Sequence, residues 1–117
     1  MLFKPCVKAT AIHEAIYVAM GFAAACHREF TQRPLVCTSL NDSIHKDGSL
    51  HYQGLAVDLR TRDLNHTSTI AWYIRVRDGL DPLGFDCLLE RDHLHIEYDP
   101  KGTENWWQKD EASLETH

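Results

Sequence analysis

The run His93-Leu94-His95-Ile96-Glu97-Tyr98 alternates polar and apolar residues without a break. Period-two alternation over this length is the mark of a half-buried strand. It follows a second short apolar run, Phe85-Asp86-Cys87-Leu88-Leu89-Glu90, after only two residues, Arg91 and Asp92. So short a link reads as an antiparallel hairpin, although it lacks the glycine of the commonest tight turns. Side chains two apart on a strand point the same way, so His93 and His95 share one face.

The rest of the chain supplies partners for that hairpin. From Thr10 to about Phe30, Ile12, Ile16, Ala19, Met20, Ala23 and Cys26 recur at three- and four-residue intervals, which predicts an amphipathic helix. Thr10 is the expected N-cap, and Pro34 ends the segment by pushing its predecessor away from helical angles. Residues 35–40 (LVCTSL) and 55–59 (LAVDL) read as strands, separated by a polar loop of turn formers. A second helix is expected from Leu64 to Val76, capped by Asn65 or Thr67, with Ile70, Tyr73 and Ile74 toward the core. DGLDPLG then turns the chain into the hairpin. The fold class is therefore α+β: two helices packed on a small, mostly antiparallel sheet.

The 117 residues suit one compact domain. It is expected over residues 1–100, with 101–117 a polar, partly mobile C-terminal extension. Trp106 and Trp107 in that extension either cover the core edge or touch a polymeric substrate. A net charge of −5 and scattered Lys and Arg argue against nucleic acid as a partner. No stretch approaches the roughly 20 apolar residues that span a bilayer, so no membrane partner is expected. The apolar run AIYVAMGFAAAC lacks the basic lead of a signal peptide and is interrupted on its approach by His13 and Glu14. Synthesis in a cytoplasm is expected, and the protein should be a monomer. None of the four cysteines forms a C-x-x-C pair. Cys26, Cys37 and Cys87 lie in apolar runs and read as small buried hydrophobes.

Two clusters stand out among the eight histidines. One is Ser49-Leu50-His51-Tyr52-Gln53-Gly54-Leu55-Ala56-Val57-Asp58, and the other is Asp92-His93-Leu94-His95. Zinc favours imidazole nitrogen and carboxylate oxygen, and catalytic sites usually supply three protein ligands. His51 and Asp58 can face one point across a turn at Gly54, and the shared strand face of His93 and His95 adds more donors than one ion needs. His13-Glu14 begins like the H-E-x-x-H helix of zinc peptidases, but residue 17 is tyrosine. His13, His27, His66 and His117 read as surface or capping residues, while His45 lies in the loop beside the first cluster. Asn41, Asp42 and Asp47 do not match a calcium-binding EF-hand loop.

The pattern S-x-H-x-x-G-x-A-x-D followed by D-x-x-H, with an H-x-H pair, resembles the zinc D-Ala-D-Ala carboxypeptidases and related peptidoglycan endopeptidases. That wider group includes lysostaphin-type enzymes and the signalling domain of hedgehog proteins. The resemblance covers roughly residues 10 to 100. It implies a single zinc ion held by His51, Asp58 and His95. It also implies a catalytic carboxylate at Asp92, where many relatives carry Glu, so that Glu90 stands as a rival. His93 falls where several members keep a second histidine close to the metal, suited to stabilising an oxyanion. Ser49 and His45 are the candidate substrate contacts.

One departure bears on the substrate. Relatives often carry a Ser-Gly-Tyr-Arg-like segment before the first motif; here it is Ser39-Leu40-Asn41-Asp42, with Asp in place of the arginine. Arg33, Arg60 and Arg62 are the candidate substitutes. The resemblance thus implies a zinc metallopeptidase of peptidoglycan stem peptides, either carboxypeptidase or endopeptidase, as in compact phage- or prophage-encoded enzymes acting on the bacterial wall. The alternatives are a zinc-stabilised binding module without turnover and a cytoplasmic D-Ala-D-Ala dipeptidase.

Overall fold

The computed structural model describes residues 1–5, 7, 12–40 and 55–99. Five strands form one mixed sheet in the order β1-β2-β3-β5-β4. They are β1 (Leu2–Phe3), β2 (Val36–Ser39), β3 (Ala56–Arg60), β4 (Phe85–Leu89) and β5 (His93–Tyr98). Among the described residues, β1 and β2 run parallel and the other pairings are antiparallel. Helix α1 (Glu14–His27) precedes β2, and helix α2 (His66–Leu80) joins β3 to β4 through a 3₁₀ turn at Asp81–Leu83. The α+β expectation therefore holds.

Alternation along the strands divides the sheet into two unlike faces. Val57, Leu59, Phe85, Cys87, Leu94, Ile96 and Tyr98 are buried and pack with Ile16, Met20, Trp72, Val76 and Leu80 of the helices. The intervening residues of β3 and β5, namely Asp58, Arg60, His93, His95 and Glu97, lie on the opposite face and are half-buried. The hairpin expected from the sequence is present: Leu89 faces Leu94, and the Glu90 amide donates to the His93 carbonyl at 2.8 Å, with Arg91 and Asp92 as the link. Gly84, at φ 94°, closes the 3₁₀ turn in a left-handed conformation open to glycine at no steric cost. Its carbonyl accepts from the Asp99 amide, which ties the two ends of the hairpin together.

Both helices differ from the sequence expectation in detail. α1 begins at Glu14, because the His13 side chain takes the capping role through Nδ1, which accepts from the Ala15 amide at 3.1 Å. The expected cap, Thr10, lies outside the described residues. The helix ends at His27 rather than near Phe30, and residues 28–30 form a turn. Asn65 caps α2 as expected, accepting from the Ser68 amide at 2.8 Å, but the helix continues past Val76 to Leu80.

The buried face of α2 is the larger correction. Trp72, Val76 and Leu80 point inward, whereas Ile70 and Ile74 are exposed; of the expected inward set, only Tyr73 packs against the core. Trp72 wins because its indole fills the gap between the helices and its Nε1 donates to the Ala23 carbonyl at 3.0 Å, satisfying a buried donor. The tip of the partly exposed Phe22 ring sits over Gly79, where a Cβ would meet it at 2.4 Å. His27, expected at the surface, is fully buried edge-on to Trp72, with ring centroids 5.4 Å apart.

Candidate metal centre

Asp58 is the middle residue of β3, between the core residues Val57 and Leu59, so its carboxylate emerges on the face away from the helices. A register shift on β2 sits directly beside it. Cys37 pairs with Leu59 and Ser39 with Asp58, so one extra residue of β2 is accommodated there. Such a bulge re-aims local side chains. Here the Thr38 hydroxyl donates to the Asp58 carbonyl at 3.3 Å.

On the other side, Asp58 is the direct cross-strand partner of His95, and Arg60 is that of His93. This register brings together residues 37 positions apart: Asp58 Oδ1 lies 2.7 Å from His95 Nδ1. The second nitrogen of His95, Nε2, lies 2.7 Å from Glu97 Oε1. His93 Nε2 approaches Asp58 Oδ1 at 3.6 Å, and its Nδ1 lies 2.6 Å from Asp92 Oδ1. The result is a chain of alternating carboxylates and imidazoles, Asp92–His93–Asp58–His95–Glu97, laid across two adjacent strands.

The electrostatics follow from that alternation. Hydrogen bonding to Asp58 raises the pKa of His95; burial opposes the rise and Glu97 adds to it. The His93 ring beside Asp92 holds the Asp92 carboxyl below its ordinary range. Asp92 itself stands at the hairpin link with its side chain 84% exposed, so its contact with His93 is its tie to the centre. The backbone there is anchored, because the Asp92 carbonyl accepts from the Thr61 amide beyond the end of β3.

The other sequence candidates divide. His51, Ser49 and His45 lie outside the described residues, as do Asp42, Trp106 and Trp107. Glu90 is exposed, just beyond β4. Arg60 shares the face of Asp58, but its guanidinium is held bidentately by Asp63 at 3.0 and 3.2 Å. Arg33 is directed to the same carboxylate at 3.7 Å, and Arg62 is exposed in the turn after β3. The described cysteines offer no nucleophile. Cys26, Cys37 and Cys87 are buried, and burial, followed by the charges of Asp81 and Asp86, pushes the Cys87 thiol up to about 12.

Glu97 is the member of the centre that sequence reasoning passed over. Its signal was available: it continues the alternation of His93 and His95 by one further step.

Among the described residues, no three of His, Cys, Asp and Glu gather into a metal-holding group. The donor pair Asp58 and His95 nevertheless suits zinc chemically, being one carboxylate oxygen and one imidazole nitrogen. At zinc bond lengths near 2.0 Å, neighbouring donors of a tetrahedral site lie about 3.3 Å apart. Oδ1 and Nδ1, now at 2.7 Å, would part by about 0.6 Å to admit an ion, a movement within the reach of side-chain rotation. No family model matches the chain, and no curated protein matches it.

Proposed function

We propose that this chain is a zinc metallopeptidase that hydrolyses peptide bonds in the stem peptides of peptidoglycan, with His51, Asp58 and His95 as the metal ligands. The observation that carries the reading is the 2.7 Å approach of Asp58 and His95 from neighbouring strands. These are two of the three residues that the resemblance carried by the S-x-H-x-x-G-x-A-x-D and D-x-x-H patterns implies as ligands. A coincidence of motif does not require that its members meet as direct cross-strand partners with their donor atoms facing.

A bound zinc ion would supply Lewis acidity, which makes water a usable nucleophile near neutral pH. The protein's own residues then handle the proton. Asp92 and His93 form a carboxylate–imidazole pair at 2.6 Å, with His93 Nε2 directed toward the Asp58 side. With Nδ1–H donated to Asp92, Nε2 keeps its lone pair, accepts a proton from the attacking water and returns it to the leaving amine. Protonated His93 also stabilises the oxyanion that develops on the scissile carbonyl. Asp58 and Glu97 make this face acidic, which suits a cation.

A second reading is favoured by one observation: the arginine on this face, Arg60, is already held by Asp63. A free terminal carboxylate wants a cation. An endopeptidase, or a zinc-stabilised binding module without turnover, has no such need. The deciding experiment incubates the zinc-loaded chain with purified peptidoglycan, with and without chelator, and resolves the products by mass spectrometry. Chelator-sensitive peptide cleavage supports the enzyme, and the product masses name the bond. Bound zinc with no product under any condition identifies the binding module.

A further inference from the structure

Among the described residues, His95 is gripped from both sides, by Asp58 of the proposed ligand set and by Glu97 outside it. Nδ1 faces Asp58 at 2.7 Å, and Nε2 faces Glu97 at 2.7 Å. An ionised carboxylate can only accept, so in the metal-free chain each contact calls for a hydrogen on the facing nitrogen, Nδ1 toward Asp58 and Nε2 toward Glu97. A zinc ion taken up beside Asp58 would replace the hydrogen on Nδ1, while the Glu97 carboxylate keeps the one on Nε2.

Glu97 is well placed to hold that arrangement. It lies two residues beyond His95 on the same face of β5, and its cross-strand partner on β3 is Ala56, whose small side chain leaves room for the carboxylate to reach back along the strand. Its side chain is 26% exposed against 16% for His95, so the contact is only partly open to competition from water. On the far strand its partner is Asp86, which cannot donate to it when ionised.

We infer that Glu97 is the positioning residue of the metal centre, fixing the ring of His95 so that Nδ1 rather than Nε2 is presented to zinc. The inference rests on the proposed zinc site. A carboxylate behind a ligating histidine restrains ring rotation, selects the tautomer and strengthens the ligand, and losing one typically costs about 10–100-fold in metal affinity. Glu97 touches neither metal nor substrate in this role.

The test is zinc affinity of the full chain, measured by competition with a chromophoric chelator, together with the visible absorption of the cobalt-substituted protein. E97A should bind zinc about 10–100-fold more weakly than the parent and alter the cobalt spectrum. E97Q, whose amide oxygen still accepts from Nε2–H, should restore much of both. Circular dichroism of the metal-free variants checks that the fold is intact. D58A serves as the reference for the site itself. Zinc lost in D58A but bound normally by E97A would overturn the role of Glu97 and leave the zinc site standing. Zinc bound normally by D58A would overturn the site, and the role of Glu97 with it.

Discussion

Asp58 and His95 meet across the β3–β5 ladder with Oδ1 and Nδ1 2.7 Å apart, although 37 residues separate them in sequence. The antiparallel register makes them direct partners, and strand alternation turns both away from the helices. A one-residue slip of either strand would send one of them into the core face. The sheet register is thus what creates the centre, and the burial of Leu59, Leu94 and Ile96 on the opposite face is what fixes the register.

Asp92→Asn tests the proton-handling pair. Asp92 is exposed and lies outside the core, so the variant should fold and retain zinc. An amide at this position can no longer hold His93 as an anion does, and zinc-dependent cleavage should fall by about 10²–10⁴-fold. Steady-state cleavage of a stem peptide by metal-replete protein is the measurement. Unchanged turnover would transfer the role to Glu90 or to His93 acting alone.

The contrast between Trp72 and Ile74 tests the corrected face of α2. Trp72→Ala removes a fully buried indole together with its hydrogen bond to the Ala23 carbonyl, and should cost about 3–5 kcal/mol in urea unfolding. That is a large part of the stability of a domain this small. Ile74 is 40% exposed, and Ile74→Ala should change stability by no more than about 0.5 kcal/mol. Equal losses would contradict the orientation of the helix.

These two residues also mark how far the sequence was legible. The hairpin and β3 were readable because period-two alternation has one physical meaning and leaves no choice of face. In α2 two apolar stripes compete, Ile70/Tyr73/Ile74 and Trp72/Val76/Leu80, both at helical spacing. Periodicity cannot choose between them; packing against Ala23 and β4 does. The same holds for the start of α1, where a histidine, a poor cap by composition, takes the role through its ring nitrogen. β1 escaped notice because two residues carry no pattern, and its pairing with β2 joins segments more than thirty residues apart. Within the centre, Asp58, His93 and His95 were legible from motif spacing, whereas the contacts of His95 with Glu97 and of Arg60 with Asp63 depend on side-chain placement.

His27 makes stability sensitive to acid. Its ring is fully buried, and neither nitrogen has a hydrogen-bond partner among the described residues. Burial holds its pKa below the ordinary 6.5, with the charge of Asp63 partly opposing the shift. In the unfolded chain the ring titrates near about 6.5. Between that value and the lowered folded value the unfolded state binds more protons. The contribution of His27 is therefore fully present above the unfolded value and is lost as pH falls through the window below it. Urea unfolding at pH 7.5 and pH 5.5 should show a loss in the parent protein that is smaller in His27→Leu. An identical loss in both would assign the acid sensitivity to other groups.

The most direct test of the proposed zinc centre is native mass spectrometry of the full chain, counting zinc ions per molecule for the parent protein and for His51→Ala, Asp58→Ala and His95→Ala. The parent should carry one zinc, and each variant should lose most of it. A parent without zinc after metal loading, or three variants that each retain a full equivalent, would contradict the centre and the peptidase built on it.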